Sequence, residues 1–385
     1  MSPLLPDASS ATHHTSHATL TRLRRARQRQ RRLTLWGLLA VVLAVFSLVL
    51  MQGQRFIPPL TVLQVLLGEN VPGASFIITE LRLPRALVAI LAGCCFGLGG
   101  AAFQAMLRNP LASPDIIGIS AGASTAAVFA IVMLSLSGTL VSLLAIAASL
   151  GVALLIYTLS WRKGVAGARL ILVGIGLGAM LQSITAYLLT QAPSWSLQEA
   201  LRWMTGSLNS ITLNQLPPLA VALGLLGSLL LMMSRHLDVM RMGDDMASGL
   251  GVRLSLTRFI IILSAVGLVA CATAVVGPVA FVAFVSGPIA TRLFRRRGSM
   301  LIPAALIGAL LMLVADFIGQ FLLPARYPVG VVTGVLGAPV LLLLLMREHQ
   351  GPGPSGRRQR RGRQPTPPSS SSTPQRPSSQ RVVSS

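Results

Sequence analysis

The sequence is poor in charged residues, and poorest in acidic ones. Only 11% of its 385 residues are charged, and 10 acidic residues stand against 32 basic ones. Soluble domains average about 25% charged residues, so a single soluble core is excluded. Cysteine is scarce too. The three cysteines, Cys94, Cys95 and Cys271, lie in apolar runs, which is typical of packing residues and not of a disulfide or metal set.

Enzyme motifs are also missing. The sole lysine, Lys163, follows Arg162, so the Gly-Lys-Ser/Thr step of a nucleotide-binding phosphate loop is absent. Residues 118–122 fit the pattern G-x-S-x-G, but a nucleophile elbow needs a strand before it and a partner histidine, and neither is evident. We therefore predict no catalytic residue, no metal site and no cofactor bound by this chain.

Apolar residues are abundant instead: 53% of the chain is hydrophobic, and the mean hydropathy is +0.71. They form ten segments, most of them about long enough to cross ~30 Å of hydrocarbon as a helix. Two of the ten come from residues 259–294, a run too long for one crossing, which divides at Gly277-Pro278. The other eight are 33–51, 86–107, 116–134, 140–161, 170–190, 216–233, 301–321 and 329–346.

The basic residues test this count, because those of short loops concentrate on the cytoplasmic side of a membrane. With the N-terminus placed in the cytoplasm, 27 of the 32 basic residues fall inside. The five that fall outside are Arg55, Arg82, Arg85, Arg202 and Arg326. We therefore predict an all-α polytopic membrane protein with about ten transmembrane helices and both termini cytoplasmic.

Both ends of the chain are polar and rich in arginine. Residues 1–32 hold seven arginines, and residues 348–385 are a mixture of Pro, Ser, Arg and Gln. Such segments cannot bury enough apolar area to offset the entropy of ordering. We predict two disordered tails around a transmembrane domain at 33–347. The tails would contact anionic lipid and not nucleic acid, since no aromatic or helical pattern accompanies the arginines.

Several ordered blocks carry a family resemblance. Residues 81–85 read LRLPR, and residues 109–123 read NPLASPDIIGISAGA. Late in the chain, GPVAFVAFV stands at 277–285 and YPVGVVTG at 327–334. These blocks resemble the FecCD-type permeases, which belong to the type II ABC importers of iron-siderophore complexes, haem and cobalamin. The resemblance covers residues 33 to about 347.

The resemblance implies a permease subunit that imports a ferric siderophore across the cytoplasmic membrane, driven by ATP that a separate subunit hydrolyses. The implied partners are ABC ATPase subunits, a second permease that is identical or paralogous, and an extracellular siderophore-binding protein. The YPVGVVTG form is closest to iron-siderophore members, and haem or cobalamin is the alternative cargo. The alternative function is a secondary transporter coupled to protons.

The resemblance also gives roles to individual residues. Arg82 and Arg85 match arginines that meet acidic residues on the two lobes of the binding protein, and the alternative is that they merely end a helix at the membrane surface. The internal loop at about 235–258 is similar to the segment that sits in a cleft of the ATPase. Its candidate residues are Gly243, Asp244, Asp245, Ala247 and Gly251. A capped surface turn, with Asp244 and Asp245 as caps, is the alternative there.

Two further features concern the membrane domain itself. One set of residues lies at the start of the predicted span 116–134 and in the loop before it. These residues would let helices pack closely along the pathway. These are Asn109, Pro110, Pro114, Gly118 and Gly122. Asp316 is the one carboxylate inside a predicted span, which makes it a candidate for proton coupling or cargo contact. The structural alternative is a buried, hydrogen-bonded helix contact or a position near the interface beside Gln320, and we favour this alternative.

Overall fold

A computed structural model describes residues 8–53, 55–115, 117–160, 167–209, 211–294 and 298–349. Within these residues the secondary structure is helical throughout, with no strand. The α-helices are α1 (Ala8–Met51), α2 (Pro59–Leu66), α3 (Leu83–Leu107), α4 (Ile119–Val132), α5 (Thr139–Ser160), α6 (Gly167–Thr190), α7 (Ser194–Met204), α8 (Leu216–Ala222), α9 (Ser228–Met232), α10 (Ser234–Met240), α11 (Asp244–Gly249), α12 (Leu254–Val276), α13 (Val282–Leu293), α14 (Leu301–Phe317) and α15 (Val329–His349).

Short π-helical turns extend three of these helices. Ile77–Arg82 precedes α3, Leu223–Gly227 joins α8 to α9, and Ile318–Leu322 follows α14. With them included, seven helical stretches in the described residues are long and apolar enough to cross a membrane, and three shorter apolar helices accompany them. Together they fall on the ten predicted segments. The prediction of an all-α membrane protein is confirmed, while the number of crossings and the side of the termini stay predictions.

The two predicted tails differ in how much of each the structure describes. Helix α1 begins at Ala8, so most of the N-terminal segment predicted to be disordered is helical in the structure. Alanine, arginine and glutamine are good helix formers. Because the apolar half of α1 is already helical, extending the helix toward the N-terminus needs no new nucleation. The C-terminal tail, apart from its first two residues, lies outside the described residues.

Helix α3 is the centre of the bundle. It is buried along most of its length, and it packs chiefly against α14, α12 and α13. At the α3–α14 crossing, a Cβ atom added to Gly93 or Gly97 would overlap backbone atoms of α14. Small residues let two backbones touch in this way, which is how helices associate where there is no water to drive them together. This close packing fixes α3 as a rigid element with two accessible ends.

The chain between α12 and α13 is irregular at the point where the sequence predicts a break. Helix α12 ends at Val276, and α13 starts only at Val282 after Phe281, whose φ is 67°. Irregular backbone at membrane depth is tolerated when other protein groups satisfy it. At the end of α12, the backbone N–H of Ser207 donates to the carbonyl of Val276 at 2.7 Å. Within α13, the buried amide of Gln104 donates at 2.8 Å to the carbonyl of Phe284, which lies four residues before Pro288 and so lacks its usual helical partner. The division at Gly277-Pro278 is confirmed.

The described residues from 8 to 344 form one compact unit. Of the residues after 344, the structure describes 345–349, which are helical.

Candidate functional site

Arg85 and Asp316 form an ion pair at one end of α3. The Nε of Arg85 donates to Oδ2 of Asp316 at 2.7 Å, and its Nη2 donates to Oδ1 at 2.5 Å. The remaining nitrogen, Nη1, donates to Oδ1 of Asn209 at 2.8 Å, and the amide of Gln320 reaches the same oxygen at 3.4 Å. Such a bidentate pair fixes both side chains. Asp316, only 3% exposed, is therefore a buried contact between α14 and the start of α3, as the structural alternative describes.

Arg82, one turn earlier, closes the end of α1. Its Nη1 donates to the carbonyls of Leu50 at 2.7 Å and Met51 at 3.0 Å, and its Nη2 donates to the carbonyl of Arg55 at 2.8 Å. The last carbonyls of a helix have no partner within the helix, so the guanidinium satisfies groups that would otherwise lack one. Both arginines predicted to face a partner protein are thus already engaged inside the chain.

These groups line an open cleft of about 590 Å³, which we call the outer cleft. It lies between the end of α1, the start of α3 and the end of α14. Its lining holds four arginines and one carboxylate, so its formal charge is +3. The lining residues are Val49, Gly53, Arg55, Ile77, Leu81, Arg82, Arg85, Asp316, Gln320, Phe321 and Arg326.

A second charged cluster lies at the opposite end of α3. Arg108 follows the helix in the left-handed conformation, with φ of 52°, and its Nη2 donates to Oδ1 of Asp244 at 3.2 Å. Arg258, on the first turns of α12, donates from Nη2 to Oδ2 of the same carboxylate at 2.7 Å. Asp244 therefore ties the short helix α11 to α3 and to α12 at once.

The predicted coupling residues form the turn, helix and turn around α11. Gly243 and Gly251 have φ of 119° and 83°, a region that disfavours side chains, and Ala247 is fully buried. The alternative for this loop, a turn capped by the side chains of Asp244 and Asp245, is wrong. Gly243 occupies the cap position, no side chain caps α11, and the Asp244 carboxylate binds arginines instead.

The solvent-exposed face of the α11 segment is apolar, which was not predicted from the sequence. Met242, Met246 and Leu250 are 65%, 54% and 62% exposed. They occur within nine residues of a loop that also carries Asp245, which is exposed as well. Exposed large apolar side chains grouped in a soluble loop are typical of a protein-binding surface. Their four-residue spacing, which places side chains on one face of a helix, was the signal available in the sequence.

The block after α3, residues 109–122, shapes a turn and packs against neighbouring helices. The side chain of Asn109 accepts a hydrogen bond from the backbone N–H of Leu111 at 2.9 Å and so shapes the turn. Gly118, with φ of 89°, lies against the backbone of Gly178 in α6, where a side chain would not fit. Gly122 similarly abuts Val152 of α5. Of the two prolines, Pro114 is buried in this turn and Pro110 is exposed. The predicted set therefore joins α4 to α5 and α6.

The same block contains a buried carboxylate that was not predicted. Oδ1 of Asp115 accepts a hydrogen bond from the hydroxyl of Ser120 at 2.6 Å. Its Oδ2 is buried and has no hydrogen-bond partner among the described residues. Burial raises the pKa of Asp115 to about 6, although the hydroxyls of Ser120 and Ser113 act in the opposite direction. Among the described residues, Asp115 has no basic partner of the kind that Asp316 has.

The sequence matches the FecCD transport family over residues 39–347. It is 39% identical over 288 residues to the ferric enterobactin transport system permease protein FepG of Escherichia coli, covering 74% of this chain and 87% of that protein. It is 38% identical to the achromobactin transport system permease protein CbrC of Dickeya dadantii, covering 80% and 90%. It is 37% identical to the Fe(3+)-citrate import system permease protein YfmE of Bacillus subtilis, covering 84% and 97%.

The fold also has a counterpart among solved structures. An inward-facing metal-chelate type ABC transporter superposes with a TM-score of 0.73 at 26% identity, covering 81% of this chain and 98% of that one.

Proposed function

The chain belongs to the FecCD transport family, and from this premise we propose that it is the permease subunit of an ABC importer that moves a ferric siderophore inward across the cytoplasmic membrane. The names of its relatives support an iron chelate as cargo, since they specify ferric enterobactin, achromobactin and Fe(3+)-citrate. A siderophore is therefore favoured over haem or cobalamin. A separate ATPase subunit would supply the energy, and this chain would supply the pathway.

The observation that carries the proposal is the construction of the α11 segment. A helix of six residues exposes Met246 and is flanked by exposed Met242 and Leu250, which suits insertion into a cleft of an ATPase. The same helix is tied through Asp244 to Arg108 at the end of α3. A movement of the ATPase against α11 would therefore reach the central helix directly. We assign coupling to Gly243, Asp244, Asp245, Ala247 and Gly251 on this ground.

A second permease, identical or paralogous, is proposed to face α6. This helix is apolar enough to cross the membrane, and yet Gln182, Ser183 and Tyr187 are exposed on it. Polar side chains at membrane depth usually face a protein partner or a water-filled cavity. Gly118, behind α6, allows the helices to pack closely, so the block from Asn109 to Gly122 would support the wall of a pathway between two subunits.

The outer cleft is the proposed contact with the extracellular binding protein. It contains Arg82 and Arg85, and its excess of positive charge suits acidic residues on the lobes of such a protein. The rival function, proton coupling through Asp316, loses support. Both oxygens of Asp316 accept hydrogen bonds from the guanidinium of Arg85, so neither oxygen is free of that contact.

Uptake of radiolabelled ferric siderophores tests the proposal. Cells that lack their own importers would receive this chain with its ATPase, second permease and binding protein, in full sets and in sets that lack one component. We expect uptake that is lost when the ATPase phosphate loop is disabled and when the binding protein is omitted. Uptake that survives both changes but collapses with the proton gradient would overturn the proposal. Uptake of haem or cobalamin without uptake of a ferric siderophore would overturn the proposed cargo.

A further inference from the structure

The basic part of α1 carries its arginines in two rows. Arg25, Arg29 and Arg32 recur at intervals of four and three residues, which places them on one face of the helix. Arg27 and Arg31 are four residues apart, and the helical repeat of 3.6 residues places them on roughly the opposite face. The two faces therefore carry the same kind of side chain and differ only in what surrounds it.

The row of Arg27 and Arg31 faces the protein. The Nη2 of Arg31 donates to the carbonyl of Ser299, in the loop before α14, at 2.7 Å. Further along the same face of α1, Leu38 and Val42 are 8% and 3% exposed, and the helix packs chiefly against α14. This face is thus the seam between α1 and the rest of the bundle, and we call Arg27 and Arg31 the inward row.

Arg25, Arg29 and Arg32 point away from the bundle and form the outward row. All three are exposed. Four residues after Arg32 comes Trp36, which is 66% exposed, and Leu43 on the same face is 53% exposed. The outward face therefore changes along α1 from arginines to a tryptophan and then to apolar side chains. The same order occurs across a membrane surface, where tryptophan lies at the interface between the headgroups and the hydrocarbon.

The spacing along α1 sets the depth of each arginine. A helix rises by 1.5 Å per residue, so Arg32, Arg29 and Arg25 lie about 1.5, 6 and 12 Å before Leu33, where the apolar run begins. The field of an anionic membrane surface falls off within about 8–10 Å at physiological salt. Two of the three arginines are therefore well inside this field. Helix α1 contains no acidic residue that could neutralise them locally.

We propose that the outward row and Trp36 form a binding site for the headgroup of an anionic phospholipid such as phosphatidylglycerol. Guanidinium groups bind phosphate oxygens in a two-bond geometry, and the row presents them at headgroup depth. A lipid is favoured over an acidic protein because the row continues without a break into the exposed apolar face of a membrane helix. The inference goes beyond the proposed function and is independent of the cargo, since it requires only that α1 crosses the membrane.

Quenching of Trp36 fluorescence by brominated lipids tests this site. The chain has four tryptophans, and changing the other three to phenylalanine leaves Trp36 as the only fluorophore. The full-length chain would be placed in phosphatidylcholine vesicles that contain increasing fractions of brominated phosphatidylglycerol or brominated phosphatidylcholine. Because bromine quenches a tryptophan that it contacts, the two curves give the ratio of the two affinities beside Trp36, which we call the lipid preference.

The variants separate position on the helix from charge alone. In the outward row they are Arg25→Gln, Arg29→Gln, Arg32→Gln and the triple variant, with Arg29→Lys as a version that retains the charge. The matched control is Arg27→Gln, in the inward row. Arg27 lies between Arg29 and Arg25 along α1, so depth cannot account for a different result. Glutamine is a good helix former and should leave α1 intact, which circular dichroism would check.

We expect the wild-type chain to prefer phosphatidylglycerol. Arg32→Gln and Arg29→Gln should each lower the preference by about fivefold, and Arg25→Gln should lower it less because of its distance from the surface. Arg29→Lys should keep most of the preference, since a lysine retains the charge. The control should stay within about twofold of the wild type. Added salt should weaken the preference of the wild type and have little effect on that of the triple variant.

Three results would overturn the inference. The first is equal quenching by the two brominated lipids in the wild type. The second is a loss of preference in Arg27→Gln as large as in Arg29→Gln, which would reduce the effect to the overall charge of the chain. The third is a triple variant that keeps the wild-type preference but no longer retains the ATPase during purification, which would make the outward row a protein contact. None of these results depends on uptake, so the proposed function can fail or stand separately.

Discussion

The two ends of α3 carry the same kind of contact in different surroundings. At the outer cleft, the side chains of Arg85 and Asp316 are 18% and 4% exposed and share two short hydrogen bonds. At the opposite end, the side chains of Arg108 and Asp244 are 43% and 38% exposed and share one hydrogen bond of 3.2 Å. Each pair joins α3 to an element far away in sequence.

The difference in burial gives the two pairs different roles. Breaking a buried pair leaves a charge with neither water nor partner, so the Arg85–Asp316 pair is expected to persist throughout the transport cycle. An exposed pair contributes little to stability, because water replaces the lost partner at small cost. The Arg108–Asp244 pair can therefore break and re-form as α11 moves. We therefore expect α3 to keep its contact with α14 at one end and to change its contact with α11 at the other.

Removing Asp316 is the change expected to have the largest effect. Asp316→Ala leaves Arg85 largely buried without its counter-charge, which should lower the stability of the protein by about 3–5 kcal/mol. Thermal unfolding of the purified importer in detergent would measure this as a clear fall in the melting temperature.

The control for this prediction is the double variant Asp316→Asn with Arg85→Gln. It replaces the ion pair by two neutral groups that can still hydrogen-bond, and it should recover much of the lost stability. An unchanged melting temperature in Asp316→Ala would show that the Arg85–Asp316 pair does not stabilise the protein. The proposed difference between the two ends of α3 would then be wrong.

Asp115 sharpens the comparison, because it is a carboxylate with a buried oxygen and with no basic partner in the part of the chain that the structure describes. Its folded pKa of about 6 is above the usual 3.8, so the stability that its neutral form contributes is complete below about pH 4 and is lost as the pH rises through 6. Asp115→Asn should abolish this loss and stabilise the protein at pH 7 by up to about 3 kcal/mol. Unfolding temperatures measured between pH 4 and 7.5 would show a flatter profile.

Ser120→Ala provides the control for Asp115. It removes a hydrogen bond to the carboxylate, which should raise the pKa further and move the loss of stability to higher pH. Identical pH profiles for the wild type and Asp115→Asn would contradict the prediction.

The all-α membrane fold and the positions of its apolar helices could be predicted from the sequence. Apolar segments of crossing length specify membrane helices, and Gly277-Pro278 marks the break between α12 and α13. What the sequence could not give was the pairing of side chains across the bundle. Arg85 and Asp316 are 231 residues apart, and only the packing of α3 on α14 brings them together.

The candidate site was predicted less well, for a physical reason. Arg82 and Arg85 stood out because they belong to a motif, but a motif does not say whether a guanidinium faces outward or inward. Arg55 and Arg326, which line the same cleft, lie outside the quoted blocks, and their signal in the sequence was a basic residue on the side where few are expected. The contact of Asp244 with Arg108 was likewise not predicted, since the two residues are 136 positions apart in the sequence.

Asp244→Asn is expected to affect stability least and function selectively. The pair with Arg108 is exposed to solvent, and an asparagine can still accept a hydrogen bond from Arg258, whose side chain is only 12% exposed, so the loss of unfolding free energy should stay at about 1–2 kcal/mol. Transport should nevertheless fall several-fold relative to ATP hydrolysis, because α11 would no longer pull on α3 when the ATPase moves. The ratio of siderophore transported to ATP hydrolysed in proteoliposomes measures this. Asp238→Asn is the matched control, since Asp238 pairs only with its neighbour Arg241 among the described residues and does not bridge to α3. If Asp244→Asn kept the wild-type ratio, the inner pair would be an ordinary surface contact, and α3 would have to receive the movement of the ATPase through the packing of α10 or α12 instead.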